Sequence, residues 1–294
     1  AATVGAAVCI LIVLNLIPKQ DLSPVGIYPG SSKATLKLAS GEMHDLGSDS
    51  HLHINEAGVA IVKGDDTSLS YKTDEQNLTA AEPVYHEIFV GRGGEFDLVL
   101  ADGTHVWLNS ESSLRYPVSF TGDERKVFLS GEAYFDVARN ETKQFVIETG
   151  GQTTRVLGTS LNISAYPGNS LITTTLVSGR VSVEGDGKAV ILSPGEQSQL
   201  DPAAGNISVR HVDLDDALAW RSGWFILDHQ TLGQFMEQVS RWYDFETIYG
   251  SEALRNMECI GKVPRYATFD EVLNVLRESS DLKISVTDKT VSIK

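Results

Sequence analysis

The sequence predicts a mostly β protein: a large all-β unit, a sandwich or irregular β-roll of short strands, followed by a small α+β unit. Three observations carry this. Asp102-Gly103 sits between two alternating runs, Phe96 to Leu100 and Val106 to Leu108, and Asp-Gly in that position is a strong hairpin signal because Gly accepts a positive φ. From Lys126 onward short strand-like runs recur, separated by Ser130-Gly131, Gly150-Gly151, Pro167-Gly168, Ser178-Gly179, Gly185-Asp186-Gly187 and Pro194-Gly195. From about Asp213 the apolar period changes from two to that of a helix.

Composition narrows the function classes. The 294 residues are long enough for two domains, and 41% hydrophobic content supports packed cores. A net charge of −15 argues against nucleic acid, which requires a basic face. Cys9 and Cys259 are too few for a disulfide framework, and Cys9 lies in an apolar run.

In chain order, residues 1–17 carry no charge, and 17 residues make about 25 Å of helix, near the lower limit for a bilayer core. They read as most or all of an N-terminal transmembrane helix; no small-residue cleavage site follows, as a signal peptide would require. Residues 18–32, with Pro18, Pro24, Pro29, Gly26 and Gly30, read as a linker. The all-β unit spans 33–212. Within it Leu36, Leu38, Ala39, Gly41 and Leu46 repeat Leu98, Leu100, Ala101, Gly103 and Leu108 at a constant offset of 62, which predicts the same hairpin twice. Strands are expected near 126–129, 132–137, 144–149, 153–158, 161–166, 171–177, 180–184, 188–192 and 196–200. Ser130-Gly131 and Ser178-Gly179 form a second echo, at offset 48.

A short connecting helix is expected within 213–223, then a unit over 224–294. There Leu232, Phe235, Met236, Val239 and Trp242 recur at helical spacing behind a Thr231/Gln234 capping box. Phe269, Val272, Leu273 and Leu276 do the same behind Thr268/Glu271. Each helix follows a strand and leads into another, so this unit reads as two βαβ-like halves with the helices on one side of a small sheet.

Few residues point to chemistry. His44, His51 and His53 invite a metal reading, but no Cys or further His completes a ligand set at a known spacing, and no cofactor is implied. His86, His105, His211 and His229 are single and scattered. Gly91-Arg92-Gly93-Gly94 lacks the Lys-Ser/Thr and the helix of a phosphate loop, and no Gly-x-Ser-x-Gly occurs. Asp102, Gly103 and Asn109 read as turn formers. Gly158-Thr159 places a hydroxyl after Gly at a strand end, where a Thr can attack the preceding carbonyl if the peptide is held strained, although Gly-Thr in a β turn is ordinarily structural.

Taken together, the chain resembles the FecR family of anti-sigma regulators in the two-domain form common in Bacteroidetes-type bacteria. RGGEFDLVLADGTHVWLNSESSLRYP, LSGEAYFDVA, FVIETGGQTTRVLGTSLNISAY, LVSGRVSV and LSPGEQSQL occur in the family's order. The tail from Trp224 looks like the domain of unknown function that often follows, similar to the short N-terminal signalling (STN) domains of secretins and TonB-dependent receptors. The resemblance covers about 33–294. It implies a single-pass inner-membrane protein with residues 18–294 in the periplasm. It also implies two partners. One is an extracytoplasmic-function sigma factor, held by a cytoplasmic segment absent from this sequence; the other is the N-terminal signalling domain of a TonB-dependent outer-membrane transporter. Some family members cleave themselves at a Gly-Thr that corresponds to Gly158-Thr159; beyond that no enzymatic activity is implied. For the transporter contact, an open sheet edge in the C-terminal unit and an apolar patch of Trp242, Tyr243, Phe245 and Tyr249 are the candidates, with core packing the competing role for Trp242. A competing reading is a membrane-anchored periplasmic glycan-binding β-domain that stacks sugars on Trp107, Tyr116 and Tyr134.

Overall fold

The Asp102-Gly103 turn closes as its residues demand. Gly103 takes φ +83°, its N–H donates to the Leu100 carbonyl, and the Leu100 N–H donates to the Thr104 carbonyl, each at 2.9 Å. The expected copy 62 residues earlier repeats these bonds: Gly41, at φ +88°, donates to Leu38 and Leu38 donates to Glu42, again at 2.9 Å. The computed structural model describes residues 26–47, 51–63, 68–73, 83–228, 230–278 and 282–294. The transmembrane helix expected over 1–17 lies outside them. Among the described residues no helix is long and apolar enough to cross a membrane.

The β unit begins with β1 (Ser31–Ser32), β2 (Thr35–Lys37), β3 (Met43–Asp45), β4 (Leu52–Glu56), β5 (Val59–Lys63), β6 (Ser68–Thr73) and β7 (Tyr85–Val90). β8 (Gly94–Val99) and β9 (His105–Leu108) form the later hairpin, followed by β10 (Ser112–Pro117) and β11 (Arg125–Asp136). Next come β12 (Phe145–Glu148), β13 (Thr153–Val156), β14 (Ser160–Ala165) and β15 (Ile172–Ser178). β16 (Val181–Gly185), β17 (Lys188–Leu192), β18 (Glu196–Asp201) and β19 (Asn206–His211) complete the unit.

Two layers share β11. One runs β17-β16-β13-β12-β11-β10-β7-β2-β3, the other β19-β18-β15-β14-β11-β9-β8-β6-β5-β4. The sequence suggests separate strands at 126–129 and 132–137; they are one strand that turns from the first layer into the second at Gly131. Gly131 has φ +95°, and a Cβ there would stand 2.4 Å from the Ser112 hydroxyl and 2.6 Å from its Cα. β19, which no apolar alternation predicts, is an exposed edge strand with sparse apolar residues.

The space between the layers is filled by the inward alternate residues, among them Leu36, Ile88, Leu98, Val106, Leu108, Leu114, Phe135, Phe145 and Ile163, all buried. Charged side chains are buried with them, Arg125 and Lys63 among them. Arg125, 2% exposed, donates through Nη1 to Asp102 Oδ2 and to the Ala138 carbonyl, both at 2.7 Å, and through Nε to the Lys143 carbonyl at 3.0 Å. Asp102 therefore does more than form a turn: it neutralises a buried guanidinium.

The chain then leaves the β unit through α1 (Leu214–Ala217), capped by Asp213 accepting from Asp215 N–H. β20 (Trp224–Ile226), α2 (Leu232–Tyr243), β21 (Glu246–Tyr249), α3 (Glu252–Arg255), β22 (Lys262–Pro264), α4 (Phe269–Glu278), β23 (Ile284–Thr287) and β24 (Thr290–Ile293) follow. Both capping boxes form: Thr231 with Gln234, and Thr268 with Glu271. The single small sheet of the βαβ reading is in fact two. β20 pairs antiparallel with β22, while β21 lies parallel to β24, which pairs with β23. The first strands of the two halves pair with each other, so neither half closes on itself. A second core of Phe225, Leu227, Phe235, Trp242, Tyr243, Phe245, Phe269, Leu276 and Ile293 lies beneath the helices.

The end of the expected linker is not a free spacer. Ile27 is buried in that second core, Ser31 and Ser32 pair with β8, and a Cβ on Gly30 would stand 2.6 Å from the Trp242 ring. This stretch ties the two units together.

Candidate functional site at the junction of the two units

Two arginines, Arg265 and Arg92, make hydrogen bonds between the C-terminal unit and the β unit. Arg265, just after β22, is 1% exposed and stacks over the Trp242 ring with its Cζ 3.8 Å from the centroid. Its Nη2 donates to Asn109 Oδ1 at 2.6 Å, and its Nε faces Glu95 Oε2 at 3.5 Å, an ion pair without hydrogen-bond geometry. The carbonyl of Arg265 accepts from Trp242 Nε1 and from the Tyr243 hydroxyl, which anchors the loop itself.

From Asn109 a buried polar chain continues into the β unit. Asn109 Nδ2 donates to Glu132 Oε2 at 2.8 Å, Asn162 Nδ2 donates to Glu132 Oε1 at 3.0 Å, and Trp220 Nε1 donates to Asn162 Oδ1 at 3.1 Å. The chain thus joins the C-terminal unit, the sheet and the connecting segment. Burial pushes the Glu132 carboxyl above its ordinary range, against the two amides and the nearby Arg265 and Arg241. A carboxylate taken out of water favours its neutral form unless donors compensate fully.

Arg92 is the second clamp. Its Nη2 donates to the carbonyls of Ser240 at 2.9 Å and Phe245 at 2.6 Å, and its Nε donates to Asp244 Oδ1 at 3.2 Å. These bonds satisfy the C-terminal end of α2, where a cation also complements the helix dipole. A Lys289 hydrogen bond, with Arg92 adding to it, holds the Asp244 carboxyl below its usual range. The Gly93 N–H donates to the Arg241 carbonyl at 2.7 Å, and Arg241 covers the Tyr166 ring at 3.9 Å. The glycine-flanked Arg92, which only superficially resembles a phosphate cradle, is thus a docking element.

The expected partner patch is mostly core. Trp242, Tyr243 and Phe245 are all 2% exposed or less, because they form the apolar face of α2 and its exit, on which β20, β22 and α4 close. Tyr249, on β21, is half-buried. The aromatic platform for sugars is lost in the same way: Tyr116 is fully buried, Tyr134 nearly so, and Trp107 lies between His105 and Arg221. Gly158-Thr159 turns from β13 into β14. A Cβ on Gly158 would stand 2.7 Å from Arg139 Cα, so close packing demands glycine there, and the buried Thr159 hydroxyl donates to the Arg180 carbonyl at 3.2 Å. Among the described residues no group of three His, Cys, Asp or Glu could hold a metal ion.

Asn109, read as a turn former, connects Arg265 to Glu132. Arg265, Glu132 and Asn162 carry no local sequence signal, since their partners lie far away in the chain. His86, read as isolated, lies in a buried row: Glu56 Oε2 to Nε2 at 2.7 Å, Nδ1 to the Tyr71 hydroxyl at 2.9 Å, and on to the Tyr116 hydroxyl at 2.9 Å. Burial lowers the His86 pKa in spite of Glu56.

Both sides of this junction fall within recognisable family regions. Residues 86–182, which hold Arg92, Glu95, Asn109, Glu132 and Asn162, match the family described as FecR protein; residues 224–293, which hold Arg241 and Arg265, match FecR, C-terminal. The chain belongs to the FecR family. Two crystal structures of a candidate anti-sigma factor from Parabacteroides distasonis, at 1.65 and 2.50 Å resolution, are similar to this FecR chain. Each is 28% identical, superposes with a TM-score of 0.66, and aligns over 71% of this chain and 98% of its own. No curated protein matches the chain.

Proposed function

We propose that this FecR-family chain is an anti-sigma signal transducer. It relays the state of a TonB-dependent outer-membrane transporter to an extracytoplasmic-function sigma factor. In this reading residues 1–17 cross the inner membrane once, residues 18–294 lie in the periplasm, and the sigma factor is held by a segment preceding them. The domains in this reading are the β unit 33–212, the connection 213–223 and the C-terminal unit 224–294; of the linker expected over 18–32, the end from Ile27 to Ser32 packs with these units. The observation that carries it is the buried chain from Arg265 through Asn109 to Glu132. A relay needs its receiving unit mechanically coupled to the rest, and buried polar contacts specify one docked arrangement.

The transporter's signalling domain docks by adding a strand to an open edge of the C-terminal unit. Among the described strands β21 and β23 each pair only with β24, and β21 exposes Ile248 (57%) beside Tyr249. In a pull-down with the transporter's periplasmic signalling domain, Ile248→Asp should weaken retention about tenfold through loss of an apolar contact at a desolvated centre. Undiminished retention by Ile248→Asp and by a chain lacking 224–294 would sink this contact.

Self-cleavage at Gly158-Thr159 is part of the same proposal. The Thr159 Oγ adds to the Gly158 carbonyl carbon, the C–N bond breaks to free the Thr159 amine, and water splits the ester to leave a Gly158 carboxylate. Wild type should run as two fragments on a denaturing gel and Thr159→Ala as one full-length species; a single full-length band for both excludes the reaction.

A further inference from the structure

On a chain of net charge −15, one open groove of about 630 Å³ is lined by three arginines, Arg139, Arg155 and Arg180, against a single carboxylate, Glu141. Its floor is the outer face of three neighbouring strands. Arg155 on β13 pairs in register with Ser182 on β16, and Ser182 with Ile191 on β17. Their alternate neighbours Val156, Val181, Val183 and Leu192 are buried in the core, so Arg155, Ser182 and Ile191 face outward. Two apolar side chains stand exposed here, Ile191 at 61% and Leu157 at 40%.

The Gly158-Thr159 corner builds the end of the groove. A Cβ on Gly179 would stand 2.8 Å from Thr159 Oγ1, so the 178–180 turn lies directly on that corner. The Asn140 N–H donates to the Leu157 carbonyl at 2.7 Å, which joins the Arg139 segment to it. Three segments are thereby held together, and each presents an arginine or an apolar side chain to the same opening.

These charges are available. Among the described residues the Arg180 guanidinium has no ion pair or hydrogen bond. Arg139 pairs with Glu141 and Arg155 with Glu184, but all four side chains are at least a third exposed, and such pairs contribute little and exchange readily. Among the described strands β17 forms a ladder only with β16, which leaves its other edge open next to Ile191.

We propose that this groove is a docking surface for an acidic, extended peptide of a partner protein. Apolar side chains of the peptide rest on Leu157 and Ile191, while its carboxylates pair with Arg180, Arg155 and Arg139. Charge complementarity selects this occupant: an acidic segment is repelled by the −15 chain as a whole and meets several cations with apolar anchors here. A nucleic acid would find the cations but gain nothing from Leu157 and Ile191. The inference does not depend on the transducer reading.

The test is fluorescence anisotropy of the folded chain with a labelled peptide, acetyl-Glu-Leu-Asp-Val-Glu-Leu-Asp-amide, against the same peptide with Lys at every acidic position. The acidic peptide should bind and the basic one should not, and added salt should weaken binding. Arg180→Glu and Ile191→Asp should each weaken it by about tenfold or more. Both side chains are exposed, so thermal midpoints should stay at the wild-type value. Equal binding of the two peptides, no binding of the acidic one, or binding indifferent to both substitutions overturns the proposal, as does an oligonucleotide that competes equally well.

Discussion

Glu132 holds both carboxylate oxygens on amide donors, from Asn109 and Asn162, inside the junction, and burial still raises its pKa. The sign of the pH effect follows. A carboxyl whose folded pKa is raised binds its proton more readily folded than unfolded, so stability is full below the ordinary glutamate range and falls as pH rises towards the raised value. The difference in urea midpoint between wild type and Glu132→Gln should therefore change across that window and level off above it. A pH-independent difference would mean that Glu132 titrates alike in both states. Local pattern could not reveal this residue: Ser-Gly-Glu reads as the start of a strand, and only the approach of Asn109 and Asn162 encloses it.

At the scale of elements, the hairpin turns were legible because their chemistry is local. Gly41 and Gly103 share positive φ and the same two hydrogen bonds, and each is set by neighbours within four residues. The turn of β11 from one layer into the other was not legible. Ser130-Gly131 looks like the other Ser-Gly turn, yet here the chain continues as strand beneath Ser112. The two glycines give a paired test. Gly41→Ala meets nothing within 4 Å and suffers only the unfavourable φ, about 1 kcal/mol. Gly131→Ala adds a contact of 2.6 Å to Ser112 Cα and should cost at least about 2 kcal/mol more, by analogy with overpacked cores. Denaturant midpoints of equal size for the two variants would refute the pivot role. The C-terminal helices lie where their periodicity and capping boxes put them, but their pairing into two separate sheets depends on which strands meet, and no periodicity reports that.

Across the whole molecule, the two cores are joined by Arg265, Arg92, the packed segment of Ile27 and Gly30, and the Gly93–Arg241 backbone bond. Wild type should unfold in one transition. Arg265→Met removes the charged donor to Asn109 Oδ1, which keeps only the Ser110 N–H, and takes the ion pair from Glu95, and should cost about 2 kcal/mol. Adding Arg92→Ala removes the second clamp, and the double variant should show two transitions by calorimetry, one per core. A single sharp transition in the double variant would place the coupling in the contacts that remain, the Ile27–Gly30 segment, the Gly93–Arg241 backbone bond and the Tyr266–Glu95 hydrogen bond.

The sequence by itself determined the mostly β class, the repeated hairpin, the two capped helices and the family, because these rest on alternation, turn residues and ordered motifs that neighbours in the chain set. Only the tertiary structure decided what those elements are for. It buried Trp242, Tyr243 and Phe245 that had looked like a contact patch. It turned Asn109 and Arg92 from loop residues into clamps, and it gathered three arginines around Gly158-Thr159. The physical reason is the same in each case: burial and charge environment are fixed by residues distant in the chain, such as the 156 positions that separate Arg265 from Asn109.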